Sequence, residues 1–194
     1  MEKTIYEHII ESASQLFAKK GFAGVSLQDI ATLSGVEYAD IAELFGCEAD
    51  LYGAVLEVLF SLYEKKMSVA LEGSSNPLDK VESFARAFCD LHKQSPYLFT
   101  LFYRELLDPS VYFESIVLKK IRHVAYLSDN NFAKGMQKEI FKHEVNPAIA
   151  TMIFVGMFHY YFLAKDHLGG SLLPKEMNDE EYIVRALKVF LSGL

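Results

Sequence analysis

The sequence is poor in residues that interrupt helices or form covalent cross-links. Its 194 residues include five prolines, eleven glycines, two cysteines and no tryptophan. Cys47 and Cys89 are far apart and lack metal-type spacing, which argues against a disulfide framework and against a cysteine-based zinc site. The prolines and glycines gather at a few points, and no stretch shows the alternation expected of a strand. These absences predict an all-helical protein with two free thiols.

The N-terminal sequence, MEKTIYEHII, lacks the features of a secretory signal. With so few cysteines, this predicts a cytoplasmic protein in a reducing compartment.

Positive charge is absent from a long N-terminal stretch. No lysine or arginine occurs between Gly21 and Glu64, and the first 64 residues hold three lysines against eleven carboxylates. The other 130 residues are nearly neutral, with 16 basic and 15 acidic side chains. Proteins that bind nucleic acid usually present a basic surface, because phosphate neutralisation supplies much of their affinity. The N-terminal part lacks this feature.

The same acidic stretch contains a helix-turn-helix pattern. Ser26 is a good N-cap, and Asp29 three residues later approximates a capping box. Apolar spacing predicts a helix over Leu27–Leu33, and Gly35 permits the tight turn that follows. A second short helix is predicted over Tyr38–Leu44, with Ile41, Leu44 and Phe45 facing inward.

These motifs resemble the DNA-binding segment of the TetR/AcrR (tetracycline-repressor) family of bacterial transcriptional regulators. The resemblance covers about residues 5–56 and rests on Leu16–Phe22, Ser26-Leu27, Ile30-Ala31, Gly35-Val36, Phe45 and Leu51. It implies an all-α fold of about nine to ten helices. It also implies a helix-turn-helix DNA-binding head at 1–46 and a ligand-binding and dimerisation body at 47–194, linked by a helix over 48–71.

The remaining helices are predicted from apolar spacing and from cap-proline pairs such as Ser95-Pro96 and Asn146-Pro147. A loop is predicted over Ser128–Asn131. The predicted helices are Glu2–Lys20, Pro77–Lys93, Pro96–Leu107, Ser110–Leu127, Phe132–Lys142, Pro147–Leu168 and a last helix from Asp179.

The resemblance implies a DNA-reading role for exposed residues of the motif. The candidates are Ser26, Leu27, Gln28, Glu37, Tyr38, Ala39, Asp40 and Glu43. A carboxylate can accept a hydrogen bond from cytosine, so Asp40 or Glu43 could read a base. However, Glu48 stands where the family commonly has a lysine. The alternative is that the acidic head binds a basic protein partner or has lost DNA binding.

The resemblance also implies a small-molecule pocket for an apolar or aromatic ligand. The candidate lining residues are Phe102, Tyr103, Tyr112, Phe113, His123, Met152, His159 and Tyr160. Apolar walls with a few polar tips suit a ligand cavity. The alternative is that these aromatic and methionine side chains are ordinary core.

The resemblance further implies a homodimer formed through the last two helices. The candidate interface residues are Phe158, Phe162, Ala186 and Phe190. Val145–Ala164 carries no charge over twenty residues, which is long enough to span a bilayer. Its polar residues and unbiased flanks favour a buried helix instead, so we expect no membrane partner.

Catalytic and metal-binding patterns are not evident. The six histidines show no ligand spacing, and no nucleophile elbow, phosphate loop or dinucleotide fingerprint occurs. We therefore expect no enzyme activity, no metal and no cofactor.

Overall fold

The computed structural model describes residues 4–141, 145–168 and 177–193, and within these ranges the chain is helical without strands. The predicted all-α fold is confirmed. The nine α-helices of the described part are α1 (Ile5–Lys20), α2 (Leu27–Ser34), α3 (Tyr38–Phe45), α4 (Glu48–Glu72), α5 (Pro77–Gln94), α6 (Pro96–Leu107), α7 (Lys119–Gln137), α8 (Pro147–His167) and α9 (Asp179–Ser192). A 3₁₀ turn at Phe22–Gly24 follows α1, and a π-helical turn at Phe113–Leu118 precedes α7.

Local capping explains where several helices begin. Thr4 and Glu7 form a capping box, so α1 starts at Ile5 rather than at the predicted Glu2, which lies outside the described residues. The starts at Pro77, Pro96 and Pro147 agree with the cap-proline signature.

The predicted loop at Ser128–Asn131 is wrong, because these residues lie within α7. The Asn131 side chain is buried and donates a hydrogen bond from Nδ2 to the carbonyl oxygen of Pro77, 3.1 Å away. Ser128 is also buried. One continuous helix thus replaces most of the two predicted around this loop, and Lys142 lies outside the described residues.

The described residues form two compact units, which are considered separately. The first consists of the described residues of Met1–Tyr63 together with Ser95–Lys120. Its core includes Phe17, whose ring packs edge-on against Tyr52 at 4.9 Å between centroids. Tyr52 in turn donates a hydrogen bond to the buried carboxylate of Glu105, 2.7 Å away, and so ties α4 to α6.

The second unit consists of the described residues of Glu64–Gln94 and Ile121–Leu194. Its core is rich in phenylalanine. Rings from α5, α7, α8 and α9 pack within about 5–6 Å of one another, and they belong to Phe84, Phe88, Phe132, Phe154, Phe158, Phe162 and Phe190. Burial of these large rings removes much apolar surface from water and so favours folding of this unit.

Candidate nucleic-acid interface

The start of α2 is fixed by a capping box. Ser26 Oγ accepts a hydrogen bond from the backbone N–H of Asp29 at 3.1 Å, and the Asp29 carboxylate accepts from the backbone N–H of Ser26 at 3.0 Å. Ser26 Oγ also donates a hydrogen bond to the Asp29 carboxylate at 2.6 Å. This bond, followed by the one from the Ser26 N–H, with further help from Lys20, lowers the pKa of Asp29 to about 2. Lys20 Nζ lies 3.1 Å from the same carboxylate. The capping residues predicted from sequence are confirmed.

The turn between α2 and α3 depends on one glycine. Gly35 adopts a left-handed conformation with φ of 71°, and its N–H donates to the carbonyl of Ala31 at 3.0 Å. A side chain at this φ would be strained, even though nothing lies within 4 Å of where its Cβ would be. The helix-turn-helix connection is thereby set by residue type.

The outward face of α3 carries most of the candidate reading residues. Each of the following is exposed: Glu37, Tyr38, Ala39, Asp40 and Glu43. Ile41, on the opposite side of the helix, is fully buried and anchors α3. Leu44 is exposed, so its predicted inward orientation is wrong. The face is available to a large partner such as a DNA duplex.

The three candidate DNA-binding residues at the start of α2 differ in their exposure and hydrogen bonding. Gln28 is exposed, whereas the Oγ of Ser26 is engaged in the cap. Leu27 is only 3% exposed, so its side chain is part of the core and cannot contact a base. Direct contact through the Leu27 side chain is therefore excluded.

The backbone N–H of Leu27 is already occupied. It donates to a carboxylate oxygen of Glu48 at the start of α4, 3.1 Å away. Helix N-termini hold anions through such N–H groups and through the helix dipole. Here the anion comes from the chain itself. The sequence marked Glu48 as unusual, but only the structure shows what it contacts.

The candidate ligand residues of the first unit have separate surroundings. Phe102 packs near Phe60 and Tyr103, and Phe113 is half-buried in the π-helical turn. Tyr112 donates to Asp50 at 3.3 Å, and its ring lies where a Cβ on Gly53 would be.

A cleft of about 640 Å³ opens in the first unit. Of the candidate ligand residues, Tyr112 lines it. The other lining side chains come from the end of α1, the start of α4 and the end of α6, and include Lys20, Phe22, Tyr52, Arg104, Glu105, Leu107 and Val111.

Two of the candidate ligand residues in the second unit contact identified neighbours. His123 Nδ1 lies 2.7 Å from a Glu64 carboxylate oxygen. His159 packs edge-on against Phe88, and burial, with a smaller effect of His92, lowers the pKa of His159 to about 4.

The remaining two, Met152 and Tyr160, were expected to line a pocket, but they lie on the exposed face of α8, where Met152 is 74% exposed. These two cannot line an enclosed cavity within the described part of this unit.

The candidate dimer residues also need correction. Phe158, Phe162 and Phe190 are buried in the core of their own chain, and Ala186 is half-buried. Buried rings cannot form a surface for a second copy. The exposed face of α8 carries other apolar side chains, namely Ile149, Met152, Ile153, Tyr160 and Leu163. The spacing of Phe154, Phe158 and Phe162, four residues apart, was the signal that marks the buried face.

Metal ligands do not cluster in the described ranges, where no group of three His, Cys, Asp or Glu side chains could hold an ion. One helix of the described part, Pro147–Asp166, is long and apolar enough to cross a membrane, with a mean hydropathy of 1.4.

Comparison with known proteins identifies the fold. No family model matches the chain. The HTH-type transcriptional repressor DhaR from Mycobacterium sp. (strain GP1) is 29% identical over 73 residues, which are 38% of this chain and 37% of DhaR. The chain thus covers little more than a third of that relative.

Several solved structures are similar over nearly the whole chain, among them the following two. PfmR, a TetR family transcriptional regulator from Thermus thermophilus, superposes with a TM-score of 0.81 at 19% identity and covers 100% of this chain and 98% of its own. AibR, solved with isovaleryl coenzyme A and operator DNA, gives a TM-score of 0.79 at 17% identity, covering 96% and 97%. The resemblance drawn from the motif residues is confirmed: this chain has the fold of the TetR-family transcriptional regulators.

Proposed function

We propose that this protein is a ligand-responsive transcriptional regulator that binds operator DNA as a homodimer. The observation that carries the proposal is the helix-turn-helix itself. Its cap at Ser26, its left-handed turn at Gly35 and its exposed α3 face occur within a fold similar over its full length to that of PfmR. AibR, which has a similar fold, was solved with operator DNA bound. In this arrangement the second helix of the motif enters the major groove.

We place the DNA-binding head at residues 1–46 and the ligand-binding and dimerisation body at 47–194. The long helix α4 begins at Glu48, directly after the motif, and so joins the two regions. A shift of this helix would change the position of α3, and hence the spacing of the two reading helices in a dimer. Regulation then requires only a ligand that binds more tightly to the protein before the shift of α4 than after it, or the reverse.

The exposed apolar face of α8 supports dimerisation. It presents several large apolar side chains to solvent, including Met152 and Ile153, and Val184 and Val189 of α9 are exposed as well. A helix face with several large exposed apolar side chains marks an interaction site, and two-fold pairing is the commonest way in which identical chains cover one. We therefore replace the buried phenylalanines with this exposed face as the proposed interface. Burial of this face against a second copy also accounts for the apolar character of α8, so no membrane is needed to explain it.

The ligand class is inferred from a relative. AibR was solved with isovaleryl coenzyme A, so an acyl coenzyme A is the first ligand to test here. The apolar or aromatic ligand expected from the sequence is compatible with the acyl part of such a molecule. We propose no catalytic role. We propose a cytoplasmic location, because the protein would meet both an acyl coenzyme A and DNA there.

The proposal is tested by footprinting the purified protein on the DNA upstream of its own gene. We expect protection of a two-fold symmetric sequence, as required by a symmetric dimer. An acyl coenzyme A series is then added, and loss of protection identifies the ligand. Failure to protect any upstream sequence, from protein that is a folded dimer by sedimentation, would contradict the proposal.

A further inference from the structure

We propose that a groove on the head, between the first turn of α1 and α3, binds a short amphipathic segment of a basic protein partner. The groove is defined by Thr4, Ile5, Tyr6, Asp40, Glu43 and Leu44 and has a volume of about 460 Å³. We call it the α1–α3 groove. The proposal goes beyond operator binding and does not depend on it.

The floor of the α1–α3 groove is apolar and open to solvent. Ile5 is 58% exposed, Leu44 is 55% exposed and Tyr6 is 42% exposed. The Tyr6 ring stacks on Phe45 at 5.6 Å between centroids, which holds it in place. Three large apolar side chains meeting at one concave surface on a small head are more than the scattered apolar residues of an ordinary surface. A partner that covers them gains the free energy of removing them from water.

The rim of the groove is acidic and therefore favours a basic partner. Asp40 and Glu43 are exposed carboxylates, and neither forms an ion pair with another residue of the described part of the chain. Glu37 adds a third exposed carboxylate at the start of α3. Lysine and arginine are absent from residues 22–63, so nothing on α3 offsets this charge. Lysine or arginine side chains beside the groove would therefore be attracted to it.

Apolar floor and acidic rim together define one class of occupant. A DNA backbone is repelled by the carboxylates and gains little from the apolar floor. An amphipathic helix with basic flanks can cover the floor with its apolar face and pair its basic side chains with the carboxylates of the rim. Helices of this kind dock apolar side chains at i, i+3, i+4 and i+7 into a groove. The bound partner would cover Asp40 and Glu43 on the reading face of α3, so partner and operator would compete for the head.

The experiment uses the full-length protein and a defined probe. The probe is a fluorescein-labelled helical peptide of about four turns, with leucines at i, i+3, i+4 and i+7 and lysines at their flanks. Two control peptides keep the same length, one with serine in place of the leucines and one with glutamate in place of the lysines. Binding is followed by fluorescence anisotropy at moderate salt. We expect saturable binding of the probe and at least tenfold weaker binding of both controls.

Variants then locate the site. Leu44→Ser removes an apolar side chain that is exposed, and Asp40→Lys with Glu43→Lys reverses the rim. Both should weaken probe binding at least tenfold while circular dichroism shows an unchanged helix content. The matched control, Glu72→Lys with Asp90→Lys, makes the same charge change at exposed positions on α4 and α5 and should bind as the wild type does.

Three results of the peptide experiment would overturn the proposal. They are an absence of saturable probe binding to the wild type, equal binding of the serine peptide, and equal binding by the groove variants. Binding of an operator duplex that is weakened by Leu44→Ser, without peptide binding, would assign the groove to DNA and also overturn it. Because the peptide is tested without DNA, failure of operator binding leaves the peptide result unaffected, and the two proposals are judged separately.

Discussion

The carboxylate of Glu48, at the start of α4, accepts a hydrogen bond from the backbone N–H of Leu27 at the start of α2, with 3.1 Å between oxygen and nitrogen. This bond places a negative charge where a helix N-terminus would otherwise attract a phosphate. Lys20, the last lysine before the motif in the sequence, is paired with Asp29. At the start of the motif, the N–H groups of Leu27 and Asp29 are thus already hydrogen-bonded to side chains of the same chain.

Replacing Glu48 should therefore strengthen DNA binding. Glu48→Lys removes a carboxylate that competes with phosphate and adds a cation beside the duplex. We expect an affinity increase of about tenfold, equivalent to about 1.4 kcal/mol, and a steeper salt dependence by about one phosphate contact. Anisotropy titrations across salt concentration measure both. Asp90→Lys makes a charge change of the same sign on α5. An equal gain in DNA affinity in that variant would show that the effect comes from the net charge of the protein and not from the position of Glu48.

Loss of the cap should destabilise the motif. Ser26→Ala removes the acceptor for the Asp29 N–H, and such substitutions cost about 0.5–2 kcal/mol. Urea unfolding measures the change, with Ser75→Ala, at an exposed position before α5, as the control.

The Asp29 cap should also be sensitive to acid. The pKa of Asp29 is lowered to about 2 from an ordinary value of 3.8, so the contribution of its charge is present above about pH 3.8 and is lost as the pH falls towards 2. An NMR titration should give a higher pKa for Asp29 in the Ser26→Ala variant than in the wild type, because the side-chain hydrogen bond from Ser26 is lost. An unchanged pKa would contradict this explanation.

The buried Tyr52–Glu105 pair should be important for stability of the first unit. Burial, together with the Glu105 carboxylate, raises the pKa of Tyr52 well above its usual range, so Tyr52 stays a hydrogen-bond donor. Tyr52→Phe leaves a buried carboxylate with one donor fewer and should lower the free energy of unfolding by about 1–3 kcal/mol. Tyr38→Phe, on the exposed face of α3, should change it little. Equal effects of the two substitutions in urea unfolding would refute the assignment.

Stability should also depend on pH through His159. Its pKa is lowered from 6.5 to about 4, chiefly by burial. Below pH 6.5 the unfolded chain binds a proton that the folded protein does not bind until about pH 4. Stability is therefore complete above pH 6.5 and falls between 6.5 and 4. One pKa unit corresponds to about 1.4 kcal/mol, so the loss from this residue is at most about 3 kcal/mol. His159→Phe should flatten the profile in this window.

The proposed dimer surface should be sensitive to a charge on the exposed face of α8. Met152→Arg or Ile153→Arg puts a charge into the proposed interface, and we expect a monomer by analytical ultracentrifugation. Leu107→Arg, at a highly exposed position of α6, is the control and should remain dimeric. A dimer that persists in both α8 variants would place the interface elsewhere.

The features that sequence predicted well are determined locally. The cap at Ser26, the turn at Gly35 and the helix starts at Pro77, Pro96 and Pro147 depend on residues within a few positions of each other. Glycine takes a left-handed turn more readily than other residues, and proline favours the first turn of a helix, so such features can be predicted without knowledge of the fold.

The features that were predicted poorly from the sequence depend on contacts between residues that are far apart in the chain. Ser128–Asn131 looks like a loop, but Asn131 finds its hydrogen-bond partner at Pro77, 54 residues away, and stays helical. The buried and exposed faces of α8 were confused because apolar residues on every side of the helix obscured the four-residue spacing of its buried phenylalanines. Glu48 could be recognised as an unusual residue, but its contact with Leu27 required the relative placement of α2 and α4.

The central claim is that this acidic head binds specific DNA. Its most direct test is fluorescence anisotropy of the purified dimer against the DNA upstream of its own gene, with a scrambled duplex beside it, titrated across salt. The account predicts preferential binding to the upstream duplex at moderate salt, with a shallow salt slope because few phosphates are neutralised. Absence of binding to either duplex, even at low salt and from protein shown to be a folded dimer, would contradict it.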